Sequence, residues 1–346
     1  TAGQPAVVTS GTGSGKTESF LAPVLAQICR EARTWARPDP GYLAQGWWQE
    51  RPGTAYGRYR DIPVGRRPTA AHPNRQPFVP LRAGEHRPAA VRCLVLYPMN
   101  ALVEDQLARL RKALNSPEVV RRMDGLTDGI AGNRIFFGRY TSHTPVTGFL
   151  AHPRRSPPDA DEGKRRDRHC RKLFDKMVEF EETQRRIRTL ITDGQLSEED
   201  AYLFPAVNGA ELLTRWDMQE TPPDILITNV SMLGAMLNRE VDERIFTRTA
   251  AWLRDDPDAY FYLVTDELHL HRGAAGTEVS YLVRTLLHKL GLFEPALRHK
   301  LRVLASSASL PTEGEEAAVS KRFLWDMFGR NGTWTENSTT ADDPWS

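Results

Sequence analysis

Cysteine, charge of one sign and long apolar runs are all scarce in this sequence. Its three cysteines, Cys29, Cys93 and Cys170, stand far apart with no CxxC pair. That spacing argues against a zinc ribbon and a disulfide framework and fits a reducing compartment. No apolar stretch is long enough to cross a bilayer and no signal peptide opens the chain, so a cytoplasmic protein without a membrane partner is expected. Net charge is only +2 over 346 residues, so any electrostatic case for nucleic acid has to be local. There is no internal repeat. The chain opens on Thr1 without an initiator methionine, and we read it as a fragment.

What is present is alternation. Apolar runs suited to strands alternate with amphipathic helical patterns, which predicts an α/β fold with a mostly parallel sheet and helices on both faces. The expected strands are Ala6–Thr9, Arg92–Tyr97, Arg134–Phe137, Asp224–Thr228, Tyr260–Thr265 and Arg302–Ser306. Val103, Leu107, Leu110 and Leu114 repeat at helical spacing behind Asn100, a good N-cap. Val279, Leu282, Val283, Leu286 and Leu290 form a second stripe that stops at Gly291. These stripes are core.

Two stretches break the rhythm and are read as insertions, at about 34–88 and 153–215. The first is rich in Pro, Gly and Arg. Its arginines (Arg51, Arg58, Arg60, Arg66, Arg67, Arg75, Arg82, Arg87), with Trp47 and Tyr56, could touch nucleic acid through phosphates and stacking, or form a solvated loop. The same two readings apply to the basic run Lys164–Lys172 in the second. Residues 333–346 are polar and read as a linker after a lobe spanning 1–332.

The most informative local pattern follows the first strand: Gly11-Thr12-Gly13-Ser14-Gly15-Lys16-Thr17. Glycines at 11, 13 and 15 let the backbone curl so that successive N–H groups point at phosphate oxygens. Lys16 would reach the β- and γ-phosphates, and the Thr17 hydroxyl would ligate Mg²⁺. The helix that follows turns its positive end to the phosphates. Ser10 stands where this loop usually has its first glycine. A second pattern, Asp266-Glu267-Leu268-His269, leaves an apolar strand and puts carboxylates at the carboxyl edge of the sheet. Asp266 is expected to hold Mg²⁺ through water, and Glu267 to orient and deprotonate an attacking water.

In this order the motifs resemble the DEAD/DEAH-like helicases of superfamily 2. Gly11–Thr17 looks like motif I, Leu96–Leu102 like motif Ia and Ile227–Leu233 like motif Ib. Asp266–His269 is similar to motif II, and Ser307-Ala308-Ser309 to motif III. The resemblance implies the first RecA-like, phosphate-loop NTPase lobe of a motor that uses ATP and Mg²⁺ to move on nucleic acid, DNA favoured over RNA. It implies that Pro98, Asn100, Thr228 and Asn229 lie along one strand's backbone. Arg139 and Thr141, in a further family-like segment, would join them. It also implies that His269, Ser307 and Ser309 couple the nucleotide site to that strand through hydroxyl-to-imidazole hydrogen bonds. A second lobe of the same polypeptide, which would carry the arginine finger, is expected after the linker, so the fragment alone should be inactive. Arg215-Trp216-Asp217-Met218-Gln219 and His271-Arg272-Gly273 suggest a narrower likeness to large bacterial phage-defence helicases of the DISARM and Druantia kind, with defence-system proteins as possible partners. The other reading is a phosphate-loop switch or kinase that never acts on nucleic acid.

Overall fold

The computed structural model describes residues 6–9, 16–44, 46–48, 78–150, 152, 160–271, 273–308, 310 and 316–328. Seven strands form one sheet: β1 (Ala6–Thr9), β2 (Cys93–Tyr97), β3 (Phe137–Tyr140), β4 (Glu211–Leu212), β5 (Ile225–Asn229), β6 (Phe261–Thr265) and β7 (Leu301–Ser307). Their spatial order is β1-β7-β6-β2-β5-β3-β4, and every neighbouring pair is parallel. Parallel neighbours cannot be joined by a tight hairpin, so crossover segments are required. Helices α1 (Lys16–Ala32), α2 (Asn100–Asn115), α3 (Pro117–Asp124), α4 (Ala160–Thr192), α5 (Arg215–Glu220), α6 (Val230–Asn238), α7 (Glu243–Asp255) and α8 (Gly273–Lys289) lie between strands, and α9 (Glu316–Phe328) follows β7.

Every residue of β2, β5 and β6 is buried. Successive strand residues point to opposite faces, so both faces of the sheet are covered, as the continuous apolar runs predict. The expected α/β architecture with a parallel sheet is the one observed.

Two strand expectations shift. β3 begins at Phe137, where the sequence pointed to Arg134–Phe137. The reason is local: the Phe136 N–H donates to the Asp224 carboxylate at 2.7 Å rather than to a neighbouring strand. β4 is two residues long, too short to leave a periodic signal, and it lies inside the span read as the second insertion. Asn100 is also not the cap of α2, because Met99 holds that position and makes no side-chain cap bond.

The first insertion's described residues overturn the picture of a solvated, strand-touching loop. Trp47 and Trp48 are buried, and Trp47 meets Phe78 edge-on at 5.5 Å between ring centroids. Phe78 in turn meets Trp216 at 5.6 Å, and Cys170, Leu173 and Met177 of α4 close a second apolar cluster around them. Parts of both insertion spans therefore pack on each other. Arg82 and Arg87 are buried ion-pair partners rather than phosphate ligands: Arg87 Nη1 lies 2.6 Å from the Asp224 carboxylate, and both arginines pair with Glu85. The remaining arginines of that stretch, and Tyr56, lie outside the described residues. In the second basic run Arg166 is buried, and Arg165 donates to the Phe149 carbonyl at 2.8 Å, while Arg168, Arg171 and Lys172 are exposed.

Asp217 pins the Leu81 segment of the first insertion to α5, accepting from the Leu81 N–H at 2.9 Å and the Thr214 hydroxyl at 2.8 Å. Burial pushes its carboxyl up to about 6. The unfolded chain releases that proton near pH 4, so between about pH 4 and 6 the native state holds one proton more. Stability from this group is complete below about pH 4 and is lost as the pH rises to about 6. Asp217→Asn should flatten the urea-melt stability profile across that window. An unchanged slope would show that Asp217 ionises as freely in the fold as outside it.

Candidate nucleotide site and strand-binding edge

The register of the sheet brings the sequence motifs to one edge. Val8 pairs with Ser306, and Tyr97 with Asn229. Thr265 pairs with Ala305 on one side and Leu96 on the other, so Asp266, one residue further, falls between Ser306 and Tyr97. Thr228 pairs with Tyr140, which puts Thr141 beside Asn229 by the same step. Ser306, Asp266, Tyr97, Asn229 and Thr141 thus form one row across the carboxyl ends of five adjacent strands. Neighbouring strands lie about 4.8 Å apart, so Asp266 is about 10 Å from the strand that leads into the phosphate loop.

Gly11, Thr12, Gly13, Ser14 and Gly15 lie outside the described residues. Lys16 and Thr17 open α1 immediately after them, so the loop is bracketed by the end of β1 and the start of a helix. Helix N-termini present free N–H groups and positive potential, which suits phosphate.

Asp266 is held firmly. Its Oδ1 accepts from the Ser306 hydroxyl and, at 2.9 Å, from the Glu267 N–H. Level with it, the Tyr97 phenol is buried with no hydrogen-bond partner among the described residues; Thr265 Oγ1, one residue earlier and so on the other face of the sheet, is likewise unpartnered there. Burial raises the Tyr97 phenol well above its usual range, and the Asp266 charge adds to the rise. The phenol, a fixed carboxylate and no soft ligand in the row make an oxygen-only setting, which fits Mg²⁺ with its waters.

Glu267 leaves the strand in a left-handed conformation, φ 52° and ψ 47°, unusual for a residue with a side chain. Strain of this kind persists where the surroundings over-determine it, often at functional sites. The Glu267 carboxylate lies 3.3 Å from His269 Nδ1. The same nitrogen is 3.4 Å from the Ala308 N–H. One nitrogen cannot donate to a carboxylate and accept from an amide at once, so the two contacts compete. His269 thus meets the Ser307–Ser309 segment at the Ala308 N–H. Ser307 is fully buried at the end of β7, and Ser309 lies outside the described residues.

The expected strand-binding residues divide into two groups. Pro98, Asn100 and Arg139 are partly exposed, Arg139 paired with Glu104 of α2. Thr228 and Thr141 are fully buried, with the Thr228 hydroxyl donating to the Tyr140 carbonyl at 2.7 Å and Thr141 Oγ1 accepting from the His143 N–H at 3.3 Å. Asn229 caps α6, accepting from the Met232 N–H at 2.8 Å, and donates to the Asn100 carboxamide. In this arrangement Thr141, Thr228 and Asn229 shape the edge, while Pro98, Asn100 and Arg139 carry its surface.

The first 135 residues match the family model described as DEAD/DEAH box helicase. The chain is also similar to the Druantia protein DruE of Escherichia coli (strain UMEA 4076-1), at 30% identity over 352 residues. That match covers 94% of this chain and 16% of the relative, so the chain spans a small part of DruE. Among solved structures it is similar to the DUF1998 helicase MrfA, with 15% identity and a TM-score of 0.41 over 95% of this chain and 27% of that one. The narrower likeness read from Arg215–Gln219 and His271–Gly273 agrees with the DruE match. Ser306 is the member of the row outside every motif, and Tyr97, inside the Leu96–Leu102 segment, had no role expected of it. Only strand register reveals them.

Proposed function

We propose that this chain is the ATP-binding lobe of a nucleic-acid motor that couples ATP hydrolysis to movement on DNA. The observation that carries the reading is the shared edge: β1, from which the chain leads to Lys16 and Thr17 at the start of α1, lies two strands from β6, which ends at Asp266 and Glu267. Lys16 and the loop amides would hold the phosphates, while Thr17 and Asp266 would hold Mg²⁺, which supplies charge neutralisation at the transferring phosphoryl group. Glu267, fixed by its left-handed turn, would orient the attacking water and take its proton. His269, between Glu267 and Ala308, is the route by which hydrolysis reaches β7 and the strand-binding edge. The DruE likeness supports a defence role in the cytoplasm, with a second lobe of the same polypeptide completing the site.

The test is ATP turnover of the full-length protein with no nucleic acid, with single- and double-stranded DNA, and with RNA. DNA should raise turnover most, and Lys16→Ala should remove it under every condition. The isolated 346-residue chain should turn over negligibly, because an arginine finger is worth about 10³–10⁵ in rate. ATP hydrolysis indifferent to every nucleic acid would replace the motor with a nucleotide switch or kinase.

A further inference from the structure

The hydrogen bonds on Asp266 are one-sided. Ser306 Oγ and the Glu267 N–H both donate to Oδ1, and among the described residues Oδ2 carries no hydrogen bond. Ser306 is fully buried in β7, between β1 and β6, and its neighbour Ser307 pairs with Thr9, the last residue of β1. One side chain therefore ties the strand beside the phosphate loop to the carboxylate at the end of β6.

We propose that Ser306 is a positioning residue that locks Asp266 through Oδ1 and so reserves Oδ2 for a Mg²⁺ ion or its water. The inference rests on the nucleotide-site reading above. A carboxylate free to rotate offers either oxygen and loses orientation entropy when a cation fixes it. A carboxylate already held by a hydroxyl does not. Ser306 touches neither nucleotide nor water in this role, so its removal should weaken the cation's hold rather than the nucleotide's.

The experiment is a Mg²⁺ titration of ATP binding to the full-length protein, with a parallel measurement in EDTA. In Ser306→Ala the Mg²⁺ concentration for half-maximal binding should rise about tenfold, the size of one hydrogen bond to a charged group. Binding in EDTA should stay as in wild type, and Ser306→Thr, which keeps the hydroxyl, should restore Mg²⁺ dependence. A melting curve taken alongside reads any packing defect. Wild-type Mg²⁺ dependence that is unaltered in Ser306→Ala overturns the inference alone. Equal losses with and without Mg²⁺, together with a lower melting temperature, also overturn it by making Ser306 a packing residue. A wild-type protein that binds ATP equally well in EDTA and in Mg²⁺ overturns the site reading and this inference with it.

Discussion

Glu267→Gln should leave Mg²⁺–ATP bound at wild-type affinity and slow its hydrolysis by about 10²–10⁴-fold, the usual contribution of a general base. Glutamine keeps the length and planarity of the side chain and its place after β6, but it cannot take a proton. The backbone gives the prediction a second arm. A side chain at φ 52° sits where glycine is at ease, so Glu267→Gly should relieve local strain and stabilise the fold by about 1 kcal/mol. Turnover should still vanish. A residue that costs stability and supplies rate is a functional residue; one that costs stability and supplies nothing is a folding compromise. Single-turnover hydrolysis, nucleotide binding and urea melts on both variants separate these cases. Wild-type hydrolysis by Glu267→Gln would remove Glu267 from the chemistry.

The order of motifs was legible because phosphate and acid chemistry need particular residues at strand ends, and strand ends are marked by apolar runs. β1 falls on the expected residues, and β2, β5, β6 and β7 fall within one residue of expectation. What the sequence could not yield was register. Ser306 and Ser307 are adjacent and identical in type, and only the pairing of Thr265 with Ala305 distinguishes the one level with Asp266. Thr228, Thr141 and Asn229 had the right chemistry for phosphates, yet capping and strand-to-strand hydrogen bonds engage the same groups, and sequence does not say which claim prevails. Arg82 and Arg87 of the first insertion misled for a related reason. A guanidinium reads as a phosphate ligand or a solvated charge until its carboxylate partner is found, and the partner of Arg87 lies 137 residues away.

That partner gives the largest expected effect on stability. Asp224→Asn should destabilise the fold by about 3–5 kcal/mol, because it leaves buried cations without their counter-charge. Asp224 is fully buried and lies 2.6 Å from Arg87 Nη1 and 2.8 Å from Arg92 Nη1. Trp35 lies beside both guanidinium groups, 3.4 Å from that of Arg87 and 5.5 Å from that of Arg92, so neither can swing out to water cheaply. Burial alone would raise the Asp224 carboxyl, but the charges of Arg87, Arg82 and Arg92 outweigh it and hold it well below the usual range. A depressed carboxyl contributes its full stability above about pH 4 and loses it as the pH falls further, so acid should narrow the gap between wild type and Asp224→Asn. The exposed pair Arg109–Asp105 on α2 is the contrast: Asp105→Asn should cost about 0–1 kcal/mol, because solvent screens both charges. Asp224 immediately precedes β5 and lies about 16 Å from the carboxyl edge, five residues at about 3.3 Å each. Folded Asp224→Asn should therefore bind ATP as wild type does. Urea melts at pH 7 and pH 3, with nucleotide binding measured on the folded fraction, check each part. Glu31 pairs with Arg92 and Glu85 with Arg87, and a loss below about 1 kcal/mol at pH 7 would mean that these two neutralise the cluster without Asp224.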